Sequence, residues 1–143
     1  MVAQPVATAS ASPVLHSLTL RVYYEDTDFS GAVYHANYLR FLERARSEWV
    51  RQSGFDQKAA FHATPSITLV VRRMSIEYLK PAFMDDLVTI ETRLIEARGA
   101  SLHLSQCALR QSELLVDAKV HVASLADGRP TRLPRRILEA LPS

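Results

Sequence analysis

Cysteine is almost missing from this chain of 143 residues, in which Cys107 stands alone. No internal disulfide and no cysteine-built zinc cage can form, so stability must come from packing, and a reducing, cytoplasmic setting is expected. Glycine is scarce as well, with four in all, and Trp49 is the single tryptophan, which excludes collagen-like and glycine-rich flexible chains. Lysine is rare: of 17 basic residues three are lysine (Lys58, Lys80, Lys119) and the other 14 are arginine. A surplus of one charge sign is absent, the formal net charge being +2, so charge alone gives no reason to expect nucleic acid as a partner. No run approaches the ~18 consecutive apolar residues of a bilayer span. Residues 1–12 have neither the basic start nor the apolar middle of a secretion signal.

What is present is an ordinary globular mixture, 48% hydrophobic and 22% charged, in a chain close to the size of one domain. Residues 1–17 are small, polar and punctuated by proline, without a period, and read as a flexible leader. A single domain is expected over 18–143. Leu18, Leu20 and Val22 alternate with Thr19, Arg21 and Tyr23, the period of a half-buried strand, until the acidic run from Glu25 to Asp28 ends it. After Gly31 the period becomes 3.6. Tyr38, Phe41 or Leu42, Ala45 and Trp49 fall on one stripe, which predicts an amphipathic helix of about four turns with Asn37 as N-cap and Gly54 at the exit.

From Ser66 the period returns to two and predicts four more strands, near 66–80, 85–97, 101–111 and 113–125, joined by short turns that favour antiparallel neighbours. The apolar parity switches between Val71 and Met74, around Arg72-Arg73, which calls for a β-bulge. One long helix and five strands make an α+β protein in which an antiparallel sheet curls around the helix. A curved sheet of this kind leaves two edges unpaired, so a homo-oligomer is expected. Ile137 to Leu141 are expected to add a short terminal helix.

Reactive groups concentrate between Asp26 and Tyr38, in the connection from the first strand to the helix. A carboxylate there lies beside a helix N-terminus, whose free N–H groups and partial positive charge suit an oxyanion, a pairing that fits attack on a carbonyl. Glycine at 31 allows backbone to come close to a ligand, and His35 offers either its ring or its backbone N–H. The plainer reading of Asp26-Thr27-Asp28 is local hydrogen bonding in a turn. His16, His62, His103 and His121 show no metal-ligand spacing, so no metal is expected, and Cys107 reads as a small core residue.

Three stretches carry a family resemblance: Arg21 to Asp28, then Gly31 to Tyr38, then Phe41-Leu42-Glu43-Arg44-Ala45-Arg46. It continues through Val71 to Tyr78, Pro81-Ala82, Asp85-Asp86, Arg98 to Ser101 and Pro130 to Pro134. The chain resembles the YbgC-type acyl-CoA thioesterases, relatives of 4-hydroxybenzoyl-CoA thioesterase. The resemblance implies the hot-dog fold, a five-stranded antiparallel sheet wrapped around one long helix. It implies hydrolysis of an acyl-CoA thioester to free acid and coenzyme A, with no cofactor beyond the coenzyme A of the substrate. It also implies an active site shared between subunits of a dimer, often a dimer of dimers (a homotetramer).

By the same resemblance Asp28 is the catalytic carboxylate, as nucleophile or as general base for water, and His35 is the motif histidine whose backbone N–H holds the oxyanion. Tyr34 and Asn37 are expected to be substrate-binding neighbours. Arg73 and Arg98 are candidates for the phosphates of coenzyme A, through charge-assisted hydrogen bonds. Two departures from the family pattern, Phe29-Ser30 and Ala32, are expected to leave Asp28 untouched and to reshape the acyl pocket. The alternatives are a hot-dog dehydratase and a non-catalytic module that binds acyl carrier protein or an envelope partner, the latter suggested by the family's Tol–Pal association. An RNA role for the arginine-rich tail is disfavoured, because those arginines have no interleaved aromatics.

Overall fold

The computed structural model describes residues 12–142. Five long strands form one antiparallel sheet: β1 (Val14–Arg21), β2 (Ile67–Tyr78), β3 (Leu87–Arg98), β4 (Ser101–Arg110) and β5 (Glu113–Ala126). They lie side by side in the order β1-β3-β4-β5-β2, and the two-residue β6 (Arg129–Pro130) extends the sheet from β5. Helix α1 (Asn37–Gln52) lies across the sheet, and α2 (Gln57–Phe61) and α3 (Arg135–Glu139) are single short turns at its margins. The expected α+β hot-dog architecture is therefore the one observed.

The apolar stripe of α1 is the stripe read from the 3.6 period: Tyr38, Phe41, Leu42, Ala45 and Trp49 are all buried. Its first half packs with Val22, Val88, Ile90, Ala108 and Val116. Its second half packs with Leu102, Leu104, Val120, Val122 and, from the C-terminal segment, Leu133 and Ile137. Cys107 is buried, as expected of a core residue; burial first, then the Asp117 carboxylate, pushes its thiol up to about 12, which leaves it unreactive.

Five buried residues among those described are polar, Asp26, Thr92, Ser105, Gln106 and Ser124, and one of them bridges the helix and the sheet. Gln106 is fully enclosed; its amide donates to the Leu42 carbonyl (3.1 Å) and to Thr92 Oγ1 (3.0 Å), while its Oε1 accepts from Arg46 (3.0 Å). The amide thereby ties the middle of α1 to β3 and β4 with its donors and acceptor satisfied.

Several boundaries differ from the sequence reading. β1 begins at Val14, so four residues assigned to the leader belong to the sheet; residues 1–11 of that leader lie outside the described residues. A register shift between Val14 and His16 switches the face and hides these residues from a period-two reading. Asn37 is the first residue of α1 rather than its cap; Ala36 holds the cap position without a side-chain bond. The terminal helix starts two residues early, at Arg135. The bulge in β2 is as expected: Val71 faces Val122 and Arg73 faces His121, which leaves Arg72 as the extra residue. No helix among the described residues is long and apolar enough to cross a membrane.

Truncation within the stripe tests this packing. Leu42→Ala is expected to lower the unfolding free energy by about 2–5 kcal/mol, read as a drop in the urea midpoint at unchanged m-value.

Candidate active site

The connection between β1 and α1 holds two carboxylates in opposite surroundings, Asp26 buried and Asp28 exposed. Asp26 is buried and spends both oxygens on the fold: Oδ2 accepts from the Tyr23 N–H (2.8 Å) and Oδ1 from the Asn37 side-chain amide (2.7 Å). Its carbonyl also accepts from the Tyr34 N–H (2.9 Å), so this one residue fixes the 3-10 turn Tyr24–Asp26, the loop and the first residue of the helix together. Local hydrogen bonding is thus the right account of Asp26, and it explains why Asn37 is not a cap.

Asp28, two residues on, is exposed. Oδ1 accepts from the N–H (2.8 Å) and the hydroxyl (2.6 Å) of Ser30, and the Asp28 N–H donates to the Ala32 carbonyl (2.8 Å). Among the described residues nothing donates to Oδ2. The Ser30 hydroxyl above all, with its N–H, lowers the Asp28 pKa, and the His35 imidazole adds a small push in the same direction. The expectation that the Phe29-Ser30 departure leaves Asp28 untouched is therefore corrected: Ser30 holds the carboxylate directly. Phe29 narrows no cavity of this chain, because its ring stands fully in solvent. Gly31 closes the turn at φ +88, a conformation that side chains with a Cβ rarely adopt. The loop is pinned on its far side by the Val33 N–H on the Ala82 carbonyl (2.9 Å).

Asp28, Tyr34 and Asn37 share the wall of an open cavity of about 240 Å³ with Arg40. His35 faces a second cavity of about 260 Å³ with Tyr38, Tyr78 and Lys80. The two cavities flank the N-terminus of α1, with the Tyr34 and His35 rings 4.7 Å apart where they meet. Here the backbone has spare donors. The N–H groups of Asn37, Tyr38 and Leu39 bond back to the carbonyls of Tyr34, His35 and Ala36, whereas those of His35 and Ala36 find no acceptor among the described residues. Two adjacent free N–H groups at a helix N-terminus favour a developing negative charge.

Arg73 and Arg98 are not among the residues lining either cavity. Arg73 sits beside the β2 bulge opposite His121, and Arg98 lies exposed at the β3–β4 turn, 3.9 Å from Glu96. His103 and His121 stack at 4.2 Å across β4 and β5, and His121 Nε2 lies 3.0 Å from Ser101 Oγ, a structural pair. Sequence reasoning missed Arg40, Tyr78 and Lys80. The first lies on the helix beyond the motif, and the other two come to the site only because the end of β2 passes the start of α1.

Comparison with known proteins places this geometry. Residues 22–141 match the model of the thioesterase-like superfamily. The chain is 39% identical over 126 residues to the acyl-CoA thioesterase YbgC of Haemophilus influenzae, covering 87% of this chain and 92% of the relative. It is 41% identical over 122 residues to the acyl-CoA thioester hydrolase YbgC of Shigella flexneri, covering 83% and 90%. Among solved structures, a probable thioesterase from Bartonella henselae superposes with a TM-score of 0.79 at 43% identity, covering 83% of this chain and 98% of that one. A Thermus thermophilus thioesterase in complex with coenzyme A and Zn superposes with a TM-score of 0.77 at 25% identity, covering 90% and 92%. With the matches spanning both the loop of Asp28 and the sheet that supports it, the chain belongs to the thioesterase-like superfamily and, within it, to the YbgC acyl-CoA thioesterases.

Proposed function

We propose that this protein hydrolyses acyl-CoA thioesters with Asp28 as the reacting carboxylate and the free N–H groups of His35 and Ala36 as the oxyanion donors. The observation that carries this reading is the pairing of one exposed, ionised carboxylate with an unsatisfied helix N-terminus on the same short loop. In the reaction the Asp28 oxygen either attacks the thioester carbon, giving an acyl–Asp28 anhydride that water then cleaves to the free acid and the regenerated carboxylate, or takes a proton from a water that attacks that carbon directly. The carbonyl oxygen gains charge against the two N–H groups, and collapse expels the thiolate. Water supplies the acid's new oxygen and the proton that ends on sulfur. The free Oδ2 is the oxygen available for either route, since Ser30 occupies the other.

Substrate binding in this reading uses Tyr34 and Asn37 at the Asp28 cavity, with Arg40 on the same wall as a phosphate or carbonyl ligand. A role for Arg73 or Arg98 toward the coenzyme's phosphates calls for a second subunit to bring them to the site. We place a homo-oligomer here, a dimer or a dimer of dimers, on two grounds: Asp28 stands open to solvent, and β2 is an edge strand carrying exposed Val70 and Val71. Acyl carrier protein presents the same phosphopantetheine thioester and is the natural second donor to assay. The buried, unpaired Cys107 thiol suits a cytoplasmic enzyme. The dehydratase alternative gains nothing from the relatives named above, which carry thioesterase names.

Three outcomes are expected. Free-thiol release from a panel of acyl-CoAs should be robust for wild type and fall by about 10³-fold or more in Asp28→Asn, as when a reacting group is removed; unchanged release in the variant would remove Asp28 from the mechanism. Because hydrogen bonds from Ser30 lower the Asp28 pKa, the carboxylate stays ionised to lower pH than an ordinary one, and activity should be lost only as pH falls through that lowered value. Ser30→Ala should move this acid limb of kcat/KM upward, toward the ordinary ~3.9. Finally, Val71→Asp on the β2 edge should shift sedimentation toward the monomer and reduce activity with it, whereas an active monomer would place the whole site in one chain.

A further inference from the structure

The last residue of β2, Tyr78, lies far from the Asp28 motif in sequence, yet its hydroxyl donates to the His35 carbonyl at 3.0 Å. Its ring meets the His35 imidazole edge-on, with centroids 5.8 Å apart, and packs at 5.9 Å on the buried ring of Tyr38. Tyr78 and His35 line the same cavity of about 260 Å³. The His35 carbonyl receives one further hydrogen bond, a long one of 3.3 Å from the Tyr38 N–H, so the Tyr78 hydroxyl is its shorter bond.

We infer that Tyr78 is a positioning residue for the oxyanion end of the site, holding the His35–Ala36 peptide so that its free N–H faces the reacting carbonyl. This rests on the reading of the site under Proposed function. The carbonyl of His35 and the N–H of Ala36 belong to one rigid plane, so the atom that fixes the oxygen also fixes the direction of the N–H. A hydrogen bond given to the oxygen draws electron density from the nitrogen and makes the N–H a stronger donor. The same plane is joined at the His35 α-carbon to the other free N–H, so the aim of both donors depends on it. A side chain is suited to this task because the first turn of α1 consumes the neighbouring backbone donors, those of Asn37, Tyr38 and Leu39, in bonds of its own. Tyr78 also sits on the open edge strand, which ties the aim of the oxyanion donors to whatever covers β2.

Tyr78→Phe removes the hydroxyl and keeps the ring. Its expected effect on the full-length protein is a fall in kcat of about tenfold with KM within about twofold, the signature of a lost transition-state interaction. The His35 carbonyl ¹³C resonance should move upfield and the Ala36 amide ¹⁵N resonance should shift, with the melting temperature nearly unchanged. An unchanged kcat would overturn the inference. So would a kcat loss that follows a lowered melting temperature while the His35 carbonyl resonance stays in place. If wild type releases no thiol from any acyl-CoA, it is the hydrolase reading that fails, and the two resonances alone then decide whether Tyr78 holds this peptide.

Discussion

Withdrawing the apolar stripe of α1 from water organises the rest of this molecule, because among the described residues the curled sheet has no other element large enough to cover its concave face. Tyr38, Phe41, Leu42, Ala45 and Trp49 disappear against β3, β4 and β5, and the short α3 closes one end through Ile137. Each of the larger of these side chains, such as Phe41 and Leu42, is worth roughly 1.5–3 kcal/mol of burial, so the helix position is set by several of them at once and is not adjustable by any one contact. Once α1 is seated, its N-terminus has a fixed place in space, and the residues of the proposed site lie around that point. The buried Gln106, bonded to α1 and to β3 and contacted by Arg46, adds a directional tie where apolar packing alone has none.

Around that N-terminus stand two carboxylates that look alike in sequence and differ in their surroundings. Asp26 is buried and hydrogen-bonded on both oxygens, so it is committed to holding the loop against the helix. Asp28 stands two residues later in solvent with one oxygen held by Ser30 and the other available. Its hydrogen bonds favour the charged form, and nothing around it penalises charge enough to cancel them. A nearby carboxylate in a tight loop needs no further tuning to be ionised at neutral pH. In the proposed mechanism the demand falls on the electrophilic side, on backbone N–H groups whose direction depends on peptide planes and, for one of those planes, on the Tyr78 hydroxyl that bonds to it.

The same architecture leaves open edges on the chain. β1 and β2 are both sheet edges, and β2 carries exposed Val70 and Val71 along its length and Tyr78 at its end. Phe29 projects wholly into water next to Asp28. Exposed apolar groups of this size are costly in water and become favourable when a second surface covers them.

Much of the fold was legible in the residues themselves. Periods of 3.6 and of two have direct physical causes, and so the stripe of α1, the four later strands and the bulge at Arg72 could all be read from the order of apolar residues. The loop from Asp26 to Tyr38 was also legible as the place for chemistry, because carboxylate, glycine and histidine accumulate there ahead of a helix. The division of labour between Asp26 and Asp28 was not, since both are acids in one turn and only the tertiary hydrogen bonds tell them apart. The early start of β1 was hidden by a register shift that breaks its alternation. Ser30 as a partner of Asp28, Arg40 on the cavity wall, and Tyr78 on the carbonyl of His35 were equally invisible. Periodicity reports which face a residue turns to the core, whereas a hydrogen bond between residues 43 positions apart exists only where folding has brought the end of one strand to the start of one helix.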